Sequence, residues 1–513
     1  MVKLVSVAEM IAIEKAADAA GPSYRQMMEN AGQALANTVS AHSHQRGRSV
    51  LGLVGPGNNG GDTLVALAAL AAQGWMTSAY LVKREFDEEY ARRAADRGTE
   101  LFASSADQEF SWLKNALQGH AILLEGLLGT GIRLPLREPF TQVLHATKTT
   151  LAGLETGPYV VAVDCPSGID CDSGEVPSEA LKADLTVCMA AIKRGMLTLP
   201  AFEWLGELEV SEIGLPDELP AWAAVQRFAL DEGMARSALP NRPWDAHKGT
   251  FGTALIVAGS QRFPGAALLA GKAAYGSGAG LVTMAVPESM QRGMLSYLPE
   301  ATWLPLPTED GWISAGAAKV IKTGLKGATA VLIGPGFGQQ EGTGAFLTKL
   351  LKEELPALVM DADALKLLAG MKDWPKQLPP GTVLTPHPGE MSTLSGLTKE
   401  KIQASRVETA EKFARKWRQV VVLKGAFTVI AAPDGRSAVM PLATPALARA
   451  GTGDVLAGII TGLRAQGVAA FEAACAGVWL HGQAGLRAAA RLGGTAGVLA
   501  GDLIGELPAL IGK

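Results

Sequence analysis

The stretch Ser49-Val-Leu-Gly-Leu-Val-Gly-Pro-Gly-Asn-Asn-Gly-Gly-Asp62 decides how this chain is read. An apolar run suited to a buried strand, Ser49–Val54, stops at a glycine-rich turn. An Ala- and Leu-rich helical pattern then runs from Asp62 to Gln73. Strand, glycine turn and helix together open a doubly wound, mostly parallel sheet. The same alternation continues on both sides. Further strands are expected at Met76–Val82, Ala121–Leu124, Tyr159–Val163, Asp184–Met189 and Glu207–Val210, and helices at Pro22–Ser40, Glu85–Ala103 and Glu138–Thr149. From Gly214 to Lys248 the pattern lapses, and Pro216, Pro220, Pro240 and Pro243 punctuate it. Prolines at that density mark a junction. Alternation restarts near Thr253–Val257 and ends in three apolar helices, beginning at about Asp454, Phe471 and Gly497. The fold class expected is α/β throughout: one unit over residues 1–215, a linker over 216–245 and a second unit over 246–513.

Composition narrows the function. Lys and Arg total 46 against 50 Asp and Glu, a net charge of −4 in 513 residues. That balance argues against a general nucleic-acid binder. Hydrophobic residues make up 48%, which excludes a mostly disordered chain. The cysteines, Cys165, Cys171, Cys188 and Cys475, have no zinc-ligand spacing, so a reducing, cytoplasmic setting is expected. The first twenty residues carry Glu9, Glu14 and Asp18 in an apolar pattern and read as an amphipathic helix, not a signal peptide. No apolar run reaches the roughly 18 residues of a membrane span. His42 and His44 fall at a polar helix end and are not read as metal ligands.

Chemistry is expected on loops at the carboxyl ends of strands. Gly55, Gly57 and Gly60 form G-x-G-x-x-G, which suits a pyrophosphate on a helix N-terminus. Two features weaken that reading. Asp62 competes with an anion for the same N–H groups, and the next strand ends in Val82-Lys83-Arg84, without the acidic residue that would bind a ribose. Later loops place Glu125 and Asp164 just past apolar strands. Carboxylates converging with Asn59 and Ser167 would suit a hard cation held by oxygens. Asp164 is alternatively a general acid/base, and each carboxylate alone is also readable as a cap. Cys165 is read as packing.

In the second half, Ile333-Gly-Pro-Gly336, Thr385-Pro-His-Pro-Gly-Glu390 and Lys424-Gly-Ala-Phe-Thr428 each follow a strand. The strongest element is Gly451-Thr-Gly-Asp454 at the start of an apolar helix. Its backbone N–H groups would bind a phosphoryl group. Asp454 is placed to take a proton from a substrate hydroxyl, and these are the parts that phosphoryl transfer to an alcohol needs. That loop alone also permits a small-alcohol kinase.

Taken together, the motifs resemble the bifunctional NAD(P)H-hydrate repair enzymes, an NAD(P)HX epimerase fused to an ADP-dependent NAD(P)HX dehydratase. The resemblance rests on Met28-Glu-Asn-Ala-Gly32, Gly57-Asn-Asn-Gly-Gly-Asp62, Gly129-Thr-Gly131, Val163-Asp-Cys-Pro-Ser-Gly168, His247-Lys-Gly249, Gly276–Val282, Ile333-Gly-Pro-Gly336, Leu384–Glu390, Lys424-Gly425 with Thr428, and Gly451–Asp454, in the family's order over nearly the whole chain. It implies a Rossmann-like unit followed by a ribokinase-like one. Asn58, Asn59, Gly60, Gly61, Asp62, Gly129, Thr130, Gly131, Ile132, Arg133, Leu134 and Pro135 would line the first substrate site. Asn59, Glu125 and Ser167 would hold K⁺, with Asp164 as the acid/base. Ala266, Gly334, Gly336 and His387 would contact the hydrated cofactor in the second site. Lys424, Gly425, Ala426, Phe427, Thr428 and Gly453 would contact the adenine nucleotide, with Mg²⁺, and Asp454 would be catalytic. The expected partners are hydrated NADH or NADPH and ADP, with no nucleic acid and no membrane, in a homo-oligomer. The family commonly has Asp where Glu125 stands, and Arg133–Glu138 and Thr444–Ala450 depart from its pattern.

Overall fold

The computed structural model describes residues 1–43 and 46–512, so His44 lies outside the described residues. The chain forms two compact units, residues 2–227 and 228–513, dividing inside the proline-punctuated stretch. Among the described residues no helix is long and apolar enough to cross a membrane.

The first unit is built on a seven-stranded sheet. Its order is Glu100–Ala103, Met76–Leu81, Ser49–Val54, Ile122–Gly126, Tyr159–Val163, Leu185–Met189 and Glu207–Ser211. Every pairing is parallel. The chain starts at Ser49–Val54, winds out to Glu100–Ala103, then returns to continue on the other side. The order therefore reverses between Ser49–Val54 and Ile122–Gly126. A crevice opens at that switch point, outside the carboxyl ends of the strands. The central strands are almost wholly apolar because helices cover both faces, and Glu125, buried at the end of Ile122–Gly126, is the charged exception.

Two expectations in this unit fail. Residues 85–103 do not form one helix: Glu89–Asp96 is helical, Gly98 turns the chain at φ 101°, and Glu100–Ala103 joins the sheet as its edge strand. Leu101 and Phe102, within that expected helix, are strand residues there. The N-terminus also opens on a strand, Val2–Val5, before its helix Val7–Ala20. Val2–Val5 pairs in parallel with Ile192–Lys193, a partner too short to leave a sequence pattern.

The second unit orders its strands Thr302–Leu306, Leu281–Pro287, Thr253–Val257, Ala330–Ile333, Ala357–Met360, Val383–Leu384, Val420–Leu423, Val429–Ala431 and Ser437–Val439. They are parallel up to Val420–Leu423 and antiparallel beyond it. The helix Thr452–Ala465 lies against Pro264–Gly276 at backbone contact. A Cβ on Gly458 would stand 2.3 Å from the Ala270 carbonyl oxygen, and one on Gly462 would stand 2.1 Å from Ser277 Oγ. These glycines, four apart, let the helices touch and so fix where the N-terminus of Thr452–Ala465 points. Gly458→Ala is expected to lower the unfolding free energy of this unit by about 2 kcal/mol, in the range of core overpacking. An unchanged urea midpoint would contradict that packing.

Candidate functional site

The first unit gathers its polar groups at the switch point. Gly55 N–H donates to Gly126 O at 3.3 Å, and a Cβ on Gly55 would lie 1.7 Å from Leu127 O. Only glycine lets the loop lie this close. The helix Asn58–Ala72 follows Gly57 with no side chain capping it, and the space where a Gly57 Cβ would stand is open. Its first N–H groups are therefore free for an anion.

Asn59 is buried and donates its amide to Val163 O at 2.6 Å and Leu128 O at 3.2 Å. A Cβ on Gly129 would meet Asn59 Oδ1 at 2.6 Å, so the glycine makes room for the amide. Glu125 is fully buried. It accepts from Ser167 Oγ at 2.5 Å, Ser167 N at 2.7 Å and Leu127 N at 3.1 Å. Burial pushes its carboxyl up, and the Ser167 and Leu127 hydrogen bonds oppose this. One carboxylate, one hydroxyl, one amide and two carbonyls thus share a small volume. A donor set of oxygens with a single negative charge fits a monovalent cation such as K⁺. Among the described residues no group of three or more His, Cys, Asp and Glu is placed to hold a metal.

Asp164 stands past the next strand with φ 65°, a left-handed conformation that favours glycine. Its Oδ1 accepts from Met189 N at 2.9 Å and from the Lys193 ammonium. Lys193 is 1% exposed and also donates to Ala191 O at 3.1 Å and Met189 O at 3.3 Å. Burial, the largest single influence, would depress this ammonium, but Asp164 together with Cys188 and Cys171 holds its pKa above the usual value. Asp62 is also buried, with no hydrogen-bond partner for its carboxyl among the described residues. Burial first, then Asp164 and Glu14, push it well above the normal carboxylate range. Glu14 is raised by burial and by Asp164. The site thus holds carboxyls in different surroundings: Asp164 ion-paired, and Asp62 buried with no ion pair among the described residues. Cys165 is buried and its thiol is pushed up by the adjacent Cys171 and by burial, as suits packing.

The remaining predicted residues lie close by. Gly60 and Gly61 are buried in the first helical turn, and Asn58 is exposed beside them. In the loop past Gly129, Thr130, Ile132 and Leu134 are half-buried, while Gly131, Arg133 and Pro135 are exposed.

In the second unit, Gly451 at φ 91° turns the chain into Thr452–Ala465, again with no side-chain cap. Lys424 Nζ donates to Asp361 Oδ1 at 2.6 Å and lies 3.9 Å from Glu390. Thr385 Oγ1 donates to the same Asp361 oxygen at 2.7 Å. A Cβ on Gly453 would sit 3.4 Å from the Lys424 ammonium, so the cation faces the glycine turn. Burial first, then Asp361, pushes Asp454 up to about 7, with Lys424 opposing. His481 Nε2 lies 2.9 Å from Thr452 O, and burial lowers its pKa to about 4. The neutral ring therefore donates to that carbonyl and steadies the turn.

A cavity of about 230 Å³ opens here, lined by Lys424, Gly425, Ala426, Thr428 and Gly453 among others. Phe427 is 6% exposed and belongs to the core, not to that lining. Ala266 and Gly336 face each other, since a Gly336 Cβ would lie 3.1 Å from Ala266 Cβ. Gly334 packs on Asp361, where a Cβ would meet the carbonyl oxygen at 2.0 Å. His387 caps helix Pro388–Ser395: its Nδ1 accepts from Gly389 N at 2.9 Å, while half of its side chain stays exposed.

Sequence reasoning missed Lys193, Glu14, Asp361 and His481. A lysine in the apolar run Met189-Ala-Ala-Ile-Lys193 was the available signal for the first, because buried lysines are rare without a partner. The others sit in ordinary helix or strand-end positions.

Two α/β units, each with a glycine turn and buried acid–lysine pair at the carboxyl edge of its sheet, define a two-site enzyme acting on nucleotide-like ligands. Residues 254–509 match the family described as NAD(P)H-hydrate dehydratase, and residues 24–195 match the YjeF-related protein N-terminus. The chain is 37% identical over 490 residues to the bifunctional NAD(P)H-hydrate repair enzyme of Moorella thermoacetica, covering 94% of this chain and 91% of that one. It is 33% identical to the Escherichia coli enzyme of the same name, covering 97% and 91%. A crystal structure of the ADP/ATP-dependent NAD(P)H-hydrate dehydratase from Bacillus subtilis, co-crystallized with ATP and Mg²⁺, is 34% identical. It covers 55% of this chain and 96% of its own, with a TM-score of 0.46. The chain belongs to the bifunctional NAD(P)H-hydrate repair enzymes, with an epimerase half and a dehydratase half.

Proposed function

We propose that residues 1–215 interconvert the R and S epimers of hydrated NADH or NADPH, and that residues 246–513, after the junction 216–245, dehydrate the S epimer using ADP. The observation that carries this reading is the pairing of two different acid–base arrangements at two glycine turns.

In the first site Asp164, oriented by Lys193 and Met189 N, takes the hydroxyl proton as the bond from the hydroxyl-bearing carbon to the ring nitrogen opens to give an aldehyde. It passes the proton to the nitrogen, and the reverse steps on the aldehyde's other face close the ring as the opposite epimer. Asp62, buried and raised by burial and by Asp164 and Glu14, is the second carboxyl of this site. Asn59, Glu125 and Ser167 would hold K⁺, which supplies fixed positive charge beside the substrate. The carbonyls of Leu128 and Val163 complete that set.

In the second site Asp454 takes the hydroxyl proton, and the oxygen attacks the terminal phosphorus of ADP. AMP leaves as the new O–P bond forms. The N–H groups of the Gly451–Asp454 turn and the Lys424 ammonium face the charge that develops on the phosphoryl oxygens. The phosphate ester is then expelled by the ring nitrogen's electron pair, and loss of the neighbouring ring proton restores the dihydronicotinamide. Net, one water leaves the cofactor and ADP becomes AMP and phosphate. Mg²⁺ would ride mainly on phosphate oxygens and water. This fits a site whose carboxylates Asp361 and Glu390 already face Lys424.

Incubating the protein with hydrated NADH and ADP is expected to restore the absorbance of reduced nicotinamide. No recovery with either ADP or ATP would overturn the reading. Dehydration is also expected to depend on pH. The base must be ionised, and Asp454 is pushed up to about 7. The rate at saturating substrate should rise about tenfold per pH unit below that value and level off above it. A flat profile from pH 5 to 8 would contradict the role of Asp454.

A further inference from the structure

We infer that the epimerase half carries a subsite for a 2′-phosphorylated adenosine ribose, and so is built for the hydrate of NADPH over that of NADH. This rests on the epimerase reading above and names its substrate more closely.

Asp164 follows Tyr159–Val163, and the open glycine turn follows Ser49–Val54. On the far side of that turn come Met76–Leu81 and Glu100–Ala103. Parallel strands lie about 4.8 Å apart, so the ends of these two strands are roughly 14 to 19 Å from Asp164 along the edge. A dinucleotide with its nicotinamide at Asp164 and its pyrophosphate at the uncapped Asn58 turn would bring its adenosine ribose there.

The ribose position is basic. In doubly wound dinucleotide sites an acidic residue after this strand binds the 2′-hydroxyl and repels a phosphate, while a basic residue does the reverse. Here the strand runs into Lys83 and Arg84. The positive φ of Lys83, 53°, turns the chain between them. Lys83 stays exposed. Arg84 is 9% exposed, and its Nη2 holds the Pro56 and Gly57 carbonyls of the glycine turn at 3.2 and 3.3 Å. Its Nε pairs with Glu88 at 3.2 Å, and its Nη1 is buried with no hydrogen-bond partner among the described residues. A cavity of about 440 Å³ opens beside both residues, with Ser104 and Ser105 also lining it. Neither serine hydroxyl is used in a hydrogen bond among the described residues. The Asp107 carboxylate at its wall is occupied, accepting from Leu113 N at 3.0 Å and Trp112 N at 3.2 Å. Glu85 lines the same cavity and the Lys83 ammonium also donates to Glu138 O at 3.2 Å, yet that ammonium, the Arg84 guanidinium and the two unengaged hydroxyls together match a phosphate monoester.

The test compares epimerisation of the two hydrates by the full chain, and inhibition of NADH-hydrate epimerisation by adenosine 2′,5′-bisphosphate, by 5′-AMP and by inorganic phosphate. The expected kcat/KM is at least about tenfold higher for the NADPH form, the effect of one or two charge-assisted hydrogen bonds. The bisphosphate should inhibit at least about tenfold more tightly than 5′-AMP, and inorganic phosphate should not reproduce it. In Lys83→Gln and in Ser104→Asp that discrimination should fall toward unity. Two variants are used because a change at the edge strand could unfold one of them. Equal kcat/KM for the two hydrates, or discrimination unchanged in both folded variants, would overturn the subsite and leave the epimerase reading standing. Absence of epimerisation with either hydrate would instead defeat that reading.

Discussion

Asp454→Asn is expected to cut dehydration by about a thousandfold, the usual scale for loss of a general base, and to leave epimer interconversion at its normal rate. The same change should make the protein more stable at alkaline pH. The folded-state value of Asp454 is raised from 3.8 to about 7, chiefly by burial. Below pH 4 the group is protonated in both folded and unfolded chains. As pH rises toward 7 the unfolded chain gives up its proton first, so stability falls across that interval. Asparagine removes this loss. At pH 8 the variant should melt higher, by about 2 to 4 °C for each kcal/mol recovered in a unit of this size. At pH 4 the two melting points should converge. A variant equally inactive but no more stable at pH 8 would mean that Asp454 is not the strained, desolvated group its surroundings imply.

The second large effect concerns the other half. Asp164→Asn should abolish epimer interconversion while dehydration of the S epimer continues unchanged. Asparagine is preferred to alanine because it keeps an acceptor for Met189 N beside Lys193. Lys193→Met should also lose epimerisation, through a different route. It leaves Asp164 buried without its cation, a cost of about 3 to 5 kcal/mol when one partner of a buried pair is removed. Its melting temperature should therefore fall along with its rate. Retained dehydration shows that the second unit is intact in each variant, and an unchanged circular dichroism spectrum checks that the first unit has folded. Loss of both activities in Asp164→Asn would contradict independent sites.

Much of the site was legible because its chemistry is written locally. Gly55–Gly61 appears as a short glycine run after an apolar strand, Gly451–Gly453 opens an apolar helix and leads directly to Asp454, and Glu125 and Asp164 stand at the ends of apolar strands. The central strands were legible for the same reason: buried on both faces, they read as continuous apolar runs. What was not legible depends on distant partners. Lys193 is fixed by Asp164 across 29 residues of sequence, and Asp361 gains its role only when Lys424 and Thr385 converge on it. Edge strands such as Glu100–Ala103 and Thr302–Leu306 are half-exposed and short, so their composition does not separate them from helix ends. His387, singled out by its place between two prolines, proves to cap its own helix through Nδ1, a role invisible in the sequence, while half of its side chain stays exposed.

The most direct test of two separate sites is complementation in trans. An equilibrated mixture of R and S hydrates is given excess ADP with Asp164→Asn alone, with Asp454→Asn alone, and with both variants together. Alone, the first should recover reduced cofactor only up to the S fraction present at the start, and the second should recover almost none. Together they should convert the whole mixture. Recovery that still stops at the initial S fraction when both variants are present would contradict the account.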